Sequence, residues 1–424
     1  MERHKKKYLL LILLILPVIA VALVAGIVFG PKNTTSAAVA KFQDVDEIKP
    51  DLKTTTVTPF TLNDTYKEFY PNIAGNKVVF STRASGNDTN NDIKMYDADA
   101  STTSTISSDV NKTECYPVIN DNYIVFANKS IASIDSWDIV LYNRQTQTSS
   151  TISNRQGLEA MPKIAGNYVI WKEHNPGTDA IYAYNLTTSQ TITVRDGSLN
   201  SQVFGVPESD GQTVVWVDFR NNNPDIYAFN LSTSTGFAVC TNQAEQYYPD
   251  VDGNYIVWEE HRNDYENSDT DHDKGDIYGY YIPTSSEVIV DNQVGVTTIY
   301  PRIGGLYTVC HASVCPNLMA PARIGLYPMP PSPPLVPCNG SYIDTQISIK
   351  GPPQINGNWV VWQDERNAST TAIDIYGYSI SGSSEFVLCN QSGDQVLPIV
   401  KGNIAVWDDY RNNYDEVAGA KLNP

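Results

Sequence analysis

The chain has 424 residues, a formal net charge of −18 and 41% hydrophobic residues. A surface this acidic repels nucleic acid and anionic lipid, so neither is an expected partner. No helical periodicity of useful length follows Gly30, which excludes a helical domain.

Arg3, Lys5, Lys6 and Lys7 precede an uncharged, almost wholly apolar stretch, Tyr8–Gly30. As a helix at ~1.5 Å per residue it is ~35 Å long, enough to cross a bilayer. The positive-inside rule makes residues 1–7 a cytoplasmic stub, 8–30 a transmembrane signal anchor, and everything beyond extracellular. The alternative is a cleaved signal peptide and a secreted protein, because SAAVA at Ser36–Ala40 has the small residues of a cleavage site. The first thirty residues carry four bases and one acid, net +3, so the exported part is −18 − 3 = −21. Residues 31–51 are a linker.

From residue 52 to 424 one phrase returns eight times. An aromatic or apolar residue precedes Pro, then Gly-Asn follows, then an apolar run ending in Trp or Phe. It is YPNIAGNKVVF at Tyr70–Phe80 and YPDVDGNYIVW at Tyr248–Trp258. The marking prolines are Pro71, Pro117, Pro162, Pro207, Pro249, Pro301, Pro353 and Pro398, spaced 46, 45, 45, 42, 52, 52 and 45 residues apart. That period is the length of a four-stranded propeller blade. Within Pro207–Tyr248, Val214–Trp216 is a continuous apolar strand covered on both faces. Asp218–Pro224 is dense in turn formers, and Tyr227, Phe229 and Leu231 alternate as one face of a strand. Phe237–Cys240 is an outer strand, and the stretch around Pro is the fourth.

The predicted fold is therefore all-β: a propeller of about eight four-stranded blades behind one transmembrane helix. The last repeat has room for three strands, while Thr55–Leu62 resembles an orphan fourth. It is expected to complete the last blade and close a monomeric ring, because an open ring leaves bare sheet edges. One repeat is degenerate. Leu306–Lys350 has eight prolines, three cysteines, no Trp and a single acid, Asp344. A frame shift and its correction explain that pattern. The alternative is a Pro-rich insertion in a seven-bladed ring.

The phrases W-x-D-x-R-N and D-I-Y-x-Y-x-L, at Trp216–Asn221, Asp225–Leu231, Trp362–Asn367 and Asp374–Ile380, resemble TolB-type propeller repeats. They are most similar to those of surface proteins of methanogenic archaea. The resemblance covers about Thr55 to Leu422 and departs from the bacterial pattern in having Gly-Asn for a Ser-Pro-Asp-Gly turn, so no TolB partner is carried over. It implies an exported, non-enzymatic propeller.

Two groups of residues are candidates for chemistry. Asp218/Arg220, Glu260/Arg262, Asp364/Arg366 and Asp409/Arg411 recur blade after blade, with an Asp opening the next strand. Catalytic sites break symmetry, so these are expected to be structural, each Arg pairing with that opening Asp. In the fifth repeat, Asp269, Asp271, Asp273 and Asp276 alternate over a short loop beside Gly275, a pattern that suits Ca²⁺, although no Glu follows at the usual distance. No cofactor is required otherwise. Ten N-x-S/T sequons are candidate glycan acceptors on an exported surface. No nucleophile elbow or phosphate loop is present. The expected function is a membrane-anchored, extracellular binding or scaffold module for a protein or glycan. The alternative is a propeller-type glycan lyase or hydrolase.

Overall fold

A computed structural model describes residues 55–423, except 63–65, 85–89, 133–135, 156, 200, 264–274, 314–320, 331–337 and 412–414. The expected membrane helix and linker lie outside the described residues. Among the described residues no helix is long and apolar enough to cross a membrane.

Eight antiparallel sheets of four strands each make up the ring, so the seven-bladed alternative falls away. Blade five shows the design: Gln246–Asp252 innermost, then Tyr255–Glu260, Asp276–Tyr281 and Ser286–Asp291 outermost. Its second strand is buried at all six positions, because neighbouring blades cover both faces. Trp171, Trp258, Trp362 and Trp407 fill the spaces between blades and are at most 1% exposed. Each such burial stabilises the ring by roughly 3 kcal/mol. The Gly of the Gly-Asn phrase holds the first hairpin turn at positive φ, +57° at Gly253, which tight antiparallel turns require.

The aromatic–Pro phrase is a β-bulge. Register slips between Phe69 and Asn72, Cys115 and Val118, Ala160 and Lys163, Phe204 and Glu208, Tyr247 and Asp250, Ile299 and Arg302, and Val396 and Ile399. The residue before Pro is left-handed there: Tyr70 (φ 56°), Tyr116 (57°), Met161 (52°), Tyr248 (50°), Tyr300 (54°) and Leu397 (53°). Bulky side chains rarely adopt that region, at a cost of about 1–3 kcal/mol each. In blade four Gly205 takes positive φ inside the bulge instead. In blade seven Pro352 stands before Pro353 and its ring fixes φ near −65°, so no left-handed residue forms, yet the slip persists: Lys350 bridges Asp364 one register out from the Gln354–Val361 pair. The marker prolines are tolerated because the innermost strand is an edge, with no ladder partner on its axial side.

The ring closes as the repeat ends require. Thr56–Thr61 pairs antiparallel with Glu416–Asn423 as the outermost strand of blade eight, Val57 opposite Leu422 and Phe60 opposite Gly419. A Cβ at Gly419 would stand 2.4 Å from the Phe60 ring, so only glycine admits it. Phe60 then stacks on Tyr96 of blade one at 5.3 Å.

Blade six folds despite its lost motifs. Ala322–Pro328 pairs with Tyr307–Ser313 along all seven positions, and Ser341–Tyr342 is a two-residue outer strand. Cys310, fully buried, takes the Trp position, and buried Tyr327 packs beside it to fill the volume. Arg323 bonds Asp344 at 3.1 Å where other blades use the D-I-Y aspartate.

Candidate functional site

The repeated carboxylate–arginine pairs lie in the hairpins between second and third strands, and their wiring differs from expectation. Each Arg bonds the acid two residues before it: Arg220–Asp218 2.6 Å, Arg262–Glu260 2.7 Å, Arg366–Asp364 2.7 Å, and Arg411 with Asp409. The guanidinium then lies over the Tyr of D-I-Y, 3.8 Å from the Tyr227 centroid and 3.8 Å from that of Tyr376. The Asp opening the next strand is met by the neighbouring Asn instead: Asn221–Asp225 2.7 Å, Asn263–Asp276 2.6 Å and Asn367–Asp374 2.8 Å. The short amide suits that gap, while the longer Arg folds back against the buried acid. Asp218 also takes an ion pair from fully buried Arg195 of the preceding blade. Burial pushes its carboxyl up, but the two guanidiniums outweigh it and hold it far below the usual range. These groups tie blades together.

Of the predicted calcium ligands, Asp269, Asp271 and Asp273 lie outside the described residues. Asp276 opens its strand and accepts from Asn263. Among the described residues no group of three or more His, Cys, Asp or Glu is arranged to hold a metal. The described cysteines, Cys115, Cys240, Cys310, Cys338 and Cys389, are unpaired.

The asymmetry absent from the hairpins lies on the axis. Each bulge delivers the residue after Pro to the central channel, and around the ring these are Asn72, Val118, Lys163, Glu208, Asp250, Arg302, Gln354 and Ile399. Four successive blades, three to six, supply charges. Lys163 ion-pairs with Glu208, and Arg302 reaches the same carboxylate at 3.2 Å, passing over blade five to do so. That contact is geometrically open only to side chains that point at the axis. Asp250 accepts from the backbone of Ile303 at 2.9 Å. Its carboxyl is pushed up to about 6, first by burial; Arg302 pulls it down and Glu208 pushes it further up. Glu208 is raised by burial, but Lys163 and Arg302 prevail and hold it low. These side chains are 22–32% exposed, water-wetted yet enclosed by the ring.

The other half, blades seven, eight, one and two, puts no charge at this level. A cavity of about 350 Å³ opens beside blades one to four, lined by Tyr70, Asn72, Tyr116, Lys163 and Ser209, with Lys401 of blade eight among others, and with no carboxylate in its wall. Tyr70 and Tyr116 face each other at 4.6 Å between centroids. Behind Tyr70 sits Asp408, 8% exposed, one of its oxygens without a partner. Burial, then Asp415, pushes its carboxyl up to about 8, so it is protonated at neutral pH. The matching Glu259 in blade five is satisfied by Tyr300 N–H and His261. Sequence reasoning missed all of these axial residues. The signal was variation inside a recurring phrase, at the position immediately after Pro.

No protein-family profile and no curated protein matches the sequence. Solved structures do. A prolyl endopeptidase aligns with a TM-score of 0.55 and 11% identity, over 81% of this chain and 55% of that one. An oligogalacturonate lyase from Vibrio parahaemolyticus aligns at 0.50 and 10%, over 88% of this chain and 98% of that one. A puromycin hydrolase aligns at 0.50 and 8%, over 81% and 58%. The chain thus spans a little over half the length of the two hydrolytic enzymes. The class defined is an eight-bladed β-propeller of the kind found in peptidase and lyase structures. This corrects the expectation of a non-enzymatic ring: the solved propellers it resembles come from enzymes, so the repeat carries no implication against catalysis.

Proposed function

We propose that the ring is a ligand-binding propeller that takes a short glycan in its central channel. The carrying observation is the off-axis cavity, large enough for a mono- or disaccharide and walled by two phenol rings with Asn72, Lys163 and Ser209 around them. Flat aromatic faces with convergent polar groups suit a sugar's apolar faces and hydroxyl rim. The uncharged stretch at 8–30 and its preceding bases support display of a ring at the cell surface, and the TolB-type repeat supports the same placement. A second reading, a glycan lyase or hydrolase, is favoured by the overlap with the full-length oligogalacturonate lyase. Binding in the channel is common to both.

The test is to incubate the full-length chain, in detergent, with a panel of di- and trisaccharides, following heat of binding and product formation. Binding lost on Tyr116→Ala supports the channel reading, and turnover in the same samples selects the enzyme. Saccharide binding unaffected by Tyr116→Ala places it elsewhere and ends the proposal.

A further inference from the structure

We propose that the channel cavity is an anion site whose ligand presents a carboxylate between Lys163 and Lys401; this rests on the reading that the channel holds the glycan, and makes that glycan an acidic one. Three observations converge.

The first is the wall itself. Two lysines line the cavity and no carboxylate does. The second is the charge along the channel. Lys163 and Arg302 are matched by Glu208 and Asp250, two charges against two, which leaves Lys401, with Asp121 acting on it, as the cation of the cavity outside that group. The third is Lys401, at the end of blade eight's innermost strand. Surrounding protein lowers its ammonium pKa, and Asp121, which acts in the opposite sense, leaves it low. The residue is exposed, so its ammonium is open to a ligand in the cavity it lines.

The tyrosines complete the fit. The Tyr116 hydroxyl bonds that of Tyr70, and both rings line the same cavity as the lysines. A carboxylate at the lysines leaves the sugar ring against these faces.

The experiment is isothermal titration of the full-length chain with a glucose disaccharide, the same disaccharide ending in a uronic acid, and citrate. The acidic disaccharide is expected to bind about tenfold more tightly than the neutral one, with the preference falling as salt rises. Lys401→Gln removes that preference without disturbing the Lys163–Glu208–Arg302 group, and Lys401→Arg keeps it. Equal binding of the two disaccharides overturns the anion site and leaves the glycan reading standing. Citrate binding that depends on Lys401, with neither sugar bound, keeps the anion site and removes the glycan. Silence from all three ligands removes both.

Discussion

The two halves of the channel solve the same problem in opposite ways. Blades three to six bring Lys163, Glu208, Asp250 and Arg302 to the axis and let them neutralise one another. Blades seven, eight, one and two bring the uncharged Gln354, Ile399, Asn72 and Val118, and this half opens onto the cavity that Tyr70, Tyr116 and Lys401 share with Lys163 and Ser209 of blades three and four. The strands and bulges that deliver these residues repeat, although blade seven makes its slip without a left-handed residue. An eight-fold frame thus becomes asymmetric by substitution at one position per repeat, without a change of fold.

The sharpest way to break the comparison is at the seam, which lies in the open half. Removing residues 1–62 takes away Val57, Phe60 and Leu62 and bares the edge of Glu416–Asn423. The expected cost is on the order of 5 kcal/mol. Hydrogen exchange is expected to show protection lost first at Ile404–Asp409 and Glu416–Asn423, and last at Leu158–Ala165 and Tyr255–Glu260. Uniform loss around the ring would mean the halves are not separable. Next in size is Glu208→Gln, which leaves Lys163 and Arg302 facing each other. Partly exposed groups place the loss between surface and buried pairs, about 2 kcal/mol by chemical denaturation. Lys163→Gln added to it is expected to restore part of that, whereas Asn72→Ala in the open half costs less than ~1 kcal/mol.

What the sequence disclosed and what it hid divide along this same line. Trp258, Gly253 and Pro249 each serve a local geometry that every blade needs, so repetition exposed them and the strands they mark. Thr56–Thr61 was legible because its length and spacing fit the one strand missing from the last repeat. The axial group was not: Arg302 and Glu208 meet across a blade, a contact with no local spacing behind it. Arg220 was assigned to Asp225 because sequence proximity cannot tell which of two nearby buried acids the guanidinium reaches. Blade six lost the W-x-D-x-R-N and D-I-Y phrases but kept its strands, since Cys310 with Tyr327 supplies the volume that a Trp would.

Acid–base behaviour cuts across the halves. Asp408, Glu114 and Asp250 have carboxyls pushed up to about 8, 7 and 6, burial being the first cause in each. A carboxyl raised in the folded state favours folding fully below the unfolded value, and that contribution is lost as pH rises through the folded value. Asp218, Glu260 and Asp364 are held low, so their contribution is present above the unfolded value and lost in acid. Thermal stability is therefore expected to peak near pH ~5 and to fall from there to pH ~9. Asp408→Asn is expected to flatten the upper limb by roughly 2 kcal/mol, and an unchanged slope between pH 6 and pH 9 would remove Asp408 as its source. The smallest effect compares two hairpins. Asp218 keeps Arg195 when Arg220 is removed, whereas among the described residues Asp409 has only Arg411 as a cationic partner. Arg411→Ala is thus expected to destabilise by about 1 kcal/mol more than Arg220→Ala in parallel urea melts.

The latch at Thr56–Thr61 also sets a timetable. This ribbon leaves the ribosome before any blade exists, while its mate, Glu416–Asn423, is made last. Seven sheets assemble in the meantime beside an unmatched edge. Two nascent molecules that meet in that interval can trade ribbons and lock as a swapped pair, so dilution favours the self-closed ring.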